Sequence, residues 1–249
     1  MENSIKFLFS GDSALVIEFG NEISVDINKK IRKMMDNIKK ENIDGIIELV
    51  PTYCSLLVNY DVLKIDYKSL VEKLKALLND DNESVEDEEV TLIKIPTLYN
   101  DECGPDLAYV AEYNKLSKEE VIKIHTGTDY LVYMLGFMPG FTYLGGMSEK
   151  IATPRLESPR LQIYPGSVGI AGKQTGMYPS MSPGGWRIIG RTPLKLYNPD
   201  SEIPVYISSG DYIRYISISE EEYNNILKKV ENNEYKLNIH KVKRGELNA

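Results

Sequence analysis

Twelve of the 18 glycines in this chain fall within residues 127–190, whereas the first 90 residues carry only Gly11, Gly20 and Gly45. Glycine weakens helices and marks tight turns. The front of the chain must therefore be built from regular elements, and the back from short strands joined by turns. In the front part, residues 5–9 and 14–19 are predicted strands around a Gly11-Asp12 turn. Ile23, Ile27, Ile31, Met34 and Ile38 recur at spacings of four, four, three and four, which predicts an amphipathic helix. Residues 46–50 and 55–60 read as two more strands, and Tyr67, Leu70, Leu74 and Leu77 mark a second helix. The run DDNESVEDEE is too acidic to pack and reads as a solvated linker. A strand follows from residue 90. The order ββαββα with a strand to follow suggests a ferredoxin-like α/β sandwich.

The second part opens on a helical segment. Ser117 and Glu120 make a capping-box pattern, with Gly127 just past the end. Beyond residue 130, short apolar runs (LVYML, LQIYPG, SVGIAG, WRIIG, LKLYN, PVYIS, YIRYISI) alternate with Gly/Pro turns, which predicts a closed or nearly closed β-barrel. The expected fold is thus α+β, with residues 1–88 an α/β domain ending in the acidic linker and residues 89–219 a barrel domain. Residues 220–249 form a surface helix and a charged tail.

Function classes narrow from the charge and the cysteines. With 29 basic and 37 acidic residues the net charge is −8, which argues against general nucleic-acid binding. No apolar run approaches 18 residues, and the first residues read as a strand rather than a signal peptide, so no membrane association is expected. Cys54 and Cys103 offer neither a disulfide framework nor metal-ligand spacing, which fits a cytoplasmic setting and predicts no metal bound by this chain alone. Within residues 150–195, by contrast, seven basic side chains meet one acid, Glu157, and this suggests a site for a small anion. Scattering over different faces would explain the same composition.

Three segments are candidates for that site. GFMPGFTYLGG sets Phe137, Phe141 and Tyr143 among glycines, either as ligand walls or as a barrel corner with inward rings. TPRLESPR places Arg155 and Arg160 each directly after a proline, an arrangement suited to bidentate recognition of carboxylate or phosphate. YPGSVGIAGKQTGMYPSMSPGGW puts Lys173, Gln174 and Thr175 between Gly172 and Gly176, where backbone N–H groups can form an anion nest, and ends on Trp186. No Walker pattern and no G-x-S-x-G elbow occurs. His125 would end the capped helix, where the helix dipole favours its protonated form. His240 lies in the tail and takes no role. Asp106, in GPDL, reads as a helix N-cap.

Taken in order, GDSALVIEFG, VPTYCSLLVNYD, GPDLAYVAEYNKLSKEEVIKIH, YMLGFMPGFTYLGGM, TPRLESPR, GSVGIAGKQTGMYPSMSPGGW and IGRTPLKLY closely resemble the KipI family, the B-type subunits of 5-oxoprolinase. The resemblance implies a cyclophilin-like barrel for the second domain and a larger C-type, KipA-like partner. It implies a third, A-type (LamB/YcsF-like) subunit, and ATP with Mg2+ for opening 5-oxoproline to glutamate. The same pair of subunits is similar to the carboxyltransferase region of urea carboxylase, so another small amide and an external biotin are an alternative. Inhibition of a sporulation histidine kinase is a second one. On the oxoprolinase reading His125, Arg155 and Lys173 would be catalytic, while Phe141, Tyr143, Arg160, Gln174, Thr175 and Trp186 would bind substrate or nucleotide. Cys54 stands where the family pattern suggests arginine, and the segment after Glu220 carries no part of the resemblance.

Overall fold

A computed structural model describes residues 5–78 and 89–248. The chain divides into two compact units, the described residues 5–78 belonging to the first and 89–248 to the second. The predicted acidic linker lies, apart from Glu89, outside the described residues.

The first unit runs β1 (Lys6–Phe9), β2 (Ala14–Glu18), α1 (Val25–Glu41), β3 (Ile46–Pro51), β4 (Ser55–Tyr60) and α2 (Tyr67–Ala76). Its strands form one antiparallel sheet in the order β1-β2-β4-β3. Alternation sends Leu15 and Ile17 of β2, with Leu56, Val58 and Tyr60 of β4, into the core. Ile27, Ile31, Met34 and Ile38 of α1 and Leu70 and Leu74 of α2 join them there. Ile23 falls outside the periodic face, because the Ser24 side chain accepts from the Asp26 N–H and caps the helix after it. Ile23 is consequently 57% exposed. Cys54, half-buried, turns its thiol to the Glu22 carbonyl at 3.1 Å, and burial followed by the charges of Glu18 and Glu22 pushes its pKa up.

The second unit mixes helices with three open sheets. Its main sheet has the order β14-β5-β13-β6-β7, from β5 (Glu89–Thr97), β6 (Tyr130–Leu135), β7 (Thr142–Gly145), β13 (Tyr212–Ser217) and β14 (Asn238–Lys243). A second sheet is β10-β9-β12, from β9 (Ser167–Ala171), β10 (Gln174–Met177) and β12 (Arg187–Arg191). The third pairs β8 (Arg160–Ile163) with β11 (Ser182–Gly184). The closed barrel expected from the strand punctuation is not what these ladders form among the described residues. The turns that interrupt the strands end the ladders too, leaving an isolated Leu98–Arg191 bridge between the first two sheets. β9 is buried at every residue and forms the centre of the second sheet.

Among the described residues three α-helices, α3 (Leu107–Tyr113), α4 (Lys118–Thr126) and α5 (Glu220–Glu231), and two single-turn 3-10 helices complete this unit. Both Ser117–Glu120 and Ser219–Glu222 are full capping boxes. The tail departs from expectation, because it supplies β14, which pairs antiparallel with β5 and places His240 opposite Leu92. Further on, the Asn248 N–H donates to the buried carboxylate of Asp129, which also receives the Arg214 guanidinium. No helix among the described residues is long and apolar enough to cross a membrane.

Candidate functional site

The two arginines of TPRLESPR lie beside a compact aromatic cluster. Phe141 packs edge-on against Tyr143, Tyr178 and Trp186, with ring centroids 5.2, 5.5 and 5.6 Å apart, and against Phe137 at 5.5 Å. Phe141, Tyr178 and Trp186 are buried and Tyr143 is half-buried. The sequence leaves room for the indole by placing glycine beneath it. A Cβ at Gly176 would stand 3.0 Å from the Trp186 ring and 3.1 Å from the Thr142 carbonyl oxygen. Phe137 differs from the others: its backbone is left-handed at φ 67° and its ring is 66% exposed. A bulky side chain in that region costs about 1–3 kcal/mol, and no burial repays it here.

Above this cluster, Arg160 donates through Nη2 to Asp106 Oδ1 at 2.9 Å and through Nη1 to the Trp186 carbonyl at 3.4 Å. Arg155 is exposed and makes no hydrogen bond or ion pair among the described residues. Desolvation pushes the Tyr178 hydroxyl up to about 12, against the pull of Arg155 first and then of the Trp186 backbone and Arg160. Both cations therefore act on the same hydroxyl, which ties them to the aromatic cluster.

Asp106 is where local reading of the sequence misplaced a side chain. It precedes α3, but its side chain makes no cap hydrogen bond. Its carboxylate instead takes Arg160 and the Ile188 N–H at 2.7 Å, with Arg187 Nη1 at 3.9 Å. Two guanidinium groups and a strand N–H outcompete the helix terminus for one carboxylate. The only local signal was the excess of positive charge across residues 150–195, which needed a counter-ion from elsewhere.

The remaining candidates separate from this group. Lys173 sits in the two-residue turn between β9 and β10 and forms an exposed ion pair with Glu149. The neighbouring Gly172 N–H donates to the Thr153 carbonyl at 2.8 Å. Gln174 begins β10 and is half-buried. Thr175 points to the face of β10 opposite Gly176 and is fully buried against His125.

His125 corrects the expectation of a protonated ring at a helix end. It is 0% exposed, and burial pushes its pKa down to about 3. Thr175 Oγ1 donates its proton to the Gly169 carbonyl, so His125 Nε2–H donates to Thr175 at 2.8 Å. Nδ1 is then left to accept from the Tyr99 hydroxyl at 2.8 Å. Both ring nitrogens are therefore engaged inside the protein, Nε2 by Thr175 and Nδ1 by Tyr99. The folded pKa lies below the unfolded value, so stability is full above pH ~6.5 and is lost as pH falls from there towards ~3. Lowering the pH from 7.5 to 5 is expected to cost about 2 kcal/mol through this group alone. His125→Gln should lose less than the native chain over the same interval in urea unfolding, and equal losses would remove His125 as the acid-sensitive group.

The family model described as "Carboxyltransferase domain, subdomain C and D" matches residues 5–207, and these residues hold the whole arginine and aromatic group. A match of that extent makes the chain a carboxyltransferase-type domain. The curated B-type subunit of 5-oxoprolinase from Bacillus subtilis (strain 168) is 45% identical over 223 residues, covering 86% of this chain and 92% of that one. The chain belongs to the family of 5-oxoprolinase B-type subunits. Among solved structures, a conserved uncharacterized protein from Pyrococcus horikoshii is 50% identical, with a TM-score of 0.52, and the match covers 88% of this chain and 100% of that one. The Kluyveromyces lactis urea carboxylase shares the fold at a TM-score of 0.77 over 96% of this chain and 24% of its own, with 20% identity.

Proposed function

We propose that this chain is the B-type subunit of an ATP-dependent 5-oxoprolinase, opening 5-oxo-L-proline to L-glutamate together with C-type and A-type subunits. The observation that carries the reading is the 45% identity running along 92% of a curated B-type subunit of 5-oxoprolinase. ATP would phosphorylate the lactam oxygen, so that water can add to the ring carbon, the C–N bond breaks with the nitrogen leaving as the amine, and phosphate is released when the acyl phosphate is hydrolysed. This chain's residues are suited to a narrower task. Arg155 and the outer N–H groups of Arg160 present positive charge beside an apolar wall, which orients an anion and lowers the local dielectric.

At the level of fold, the order β1-β2-β4-β3 with two helices supports a ferredoxin-like first domain. The bridge between separate sheets supports a cyclophilin-like, incompletely closed second one. The test is co-expression with the C-type and A-type subunits, assayed for glutamate formed in step with ATP hydrolysis. Turnover that needs all three chains is expected. A stable assembly that leaves 5-oxoproline intact, or that instead consumes urea with biotin, sinks the proposal.

A further inference from the structure

The carboxylate of Asp106 is buried, and burying a charge is costly unless it is paired. Asp106 closes the free edge of β12 with both backbone and side chain: its N–H donates to the Ile188 carbonyl at 2.9 Å, and one carboxylate oxygen, Oδ2, accepts from the Ile188 N–H at 2.7 Å. Glycine allows this close approach, since a Cβ at Gly104 would stand 2.1 Å from the Ile189 carbonyl oxygen. The other carboxylate oxygen, Oδ1, faces two guanidinium groups, Arg160 at 2.9 Å and Arg187 at 3.9 Å. Arg160 is tied at both terminal nitrogens, to Asp106 and to the Trp186 carbonyl. Arg187 stacks 3.7 Å from the Tyr109 ring centre and donates through Nε to the Pro154 carbonyl at 3.3 Å. On the other side of Arg155, the Leu156 N–H donates to the Gly185 carbonyl at 2.7 Å. Residue 155 is thus bracketed by two tethers, one of which leads back through Arg187 to Asp106. Of the three arginines, only Arg155 makes no hydrogen bond or ion pair among the described residues.

We propose that Asp106 is a positioning residue: it fixes Arg160 directly, and Arg155 through Arg187 and the Pro154 carbonyl, as a two-guanidinium receptor for an anionic oxygen group. Planar forks held in this way suit a carboxylate or a phosphoryl group equally. The oxoprolinase reading supplies the two sources, the carboxylate of 5-oxoproline and the phosphate of the nucleotide. It supplies nothing else to the proposal.

Asp106→Asn keeps the shape but turns an amide N–H towards the arginines and removes the charge that holds them. Trp186 is the single tryptophan of the chain, so its fluorescence reports this place alone. The purified chain is titrated with inorganic phosphate and, separately, with 5-oxoproline. The native chain is expected to respond saturably to one of them, and folded Asp106→Asn to bind it about 10-fold more weakly, the scale of one charge-assisted hydrogen bond. The responding ligand names the source. In the assembled enzyme the same variant should raise KM for that substrate with little change in kcat. If Asp106→Asn does not fold, Arg187→Lys, which keeps the charge and loses the fork, should weaken binding in the same direction. No saturable response in the native chain, or unchanged affinity in the folded variants, overturns the proposal. These titrations need no turnover, so an assembly that makes no glutamate counts against the enzymatic reading alone.

Discussion

Replacing Arg155 by alanine is expected to lower kcat/KM of the assembled 5-oxoprolinase by at least ~100-fold, the scale of removing one charged donor from a transition state. The expectation rests on what the side chain does not do. It is exposed and makes no hydrogen bond or ion pair among the described residues, so its removal breaks no structural contact there. Exposed substitutions of this kind shift stability by about 0.5 kcal/mol or less. The variant should therefore melt with the native chain and assemble with its partners while failing to turn over. Lys173→Ala should lose less, because that ammonium is shared with Glu149 at the surface. Native-like turnover in a folded, assembled Arg155→Ala would strike the residue from the site.

The second large effect is on stability. Trp186→Ala is expected to destabilise the chain by about 3–5 kcal/mol, the range for deleting a large buried aromatic ring. The indole is 6% exposed and meets both Phe141 and Tyr178 edge-on. Gly169 and Gly176 leave the space it fills, and neither has a side chain to move into the gap. Urea unfolding followed by far-ultraviolet circular dichroism measures the loss without needing the missing fluorophore. A loss below about 1 kcal/mol would mean that the ring serves a ligand rather than the packing.

How much of this was legible in the sequence depended on how far away each residue's partners lie. The core face of α1 could be read from Ile27, Ile31, Met34 and Ile38, because a helix repeats over one or two turns of its own chain. The capping box at Ser117 and Glu120 was equally local. Asp106 was not legible, because an aspartate before a helix looks the same whether it caps that helix or pairs with Arg160, 54 residues on. His125 was misread for a similar reason. Its helix-end position is local, whereas Tyr99 and Thr175, which seal it, come from two distant segments. β14 escaped because it carries no apolar alternation: five of its six residues are exposed, and only the ladder to β5 makes it a strand.

That ladder has a consequence for how the protein is made. β5 occupies residues 89–97, and its two sheet neighbours, β13 and β14, begin only at residues 212 and 238. At ~5–20 residues per second, a ribosome delivers the first of them on the order of ten seconds after β5 has emerged. During that interval the first unit has all of its strands in hand, while β5 waits with both edges bare. Synthesis should leave the second unit's main sheet incomplete until β13 and β14 are released.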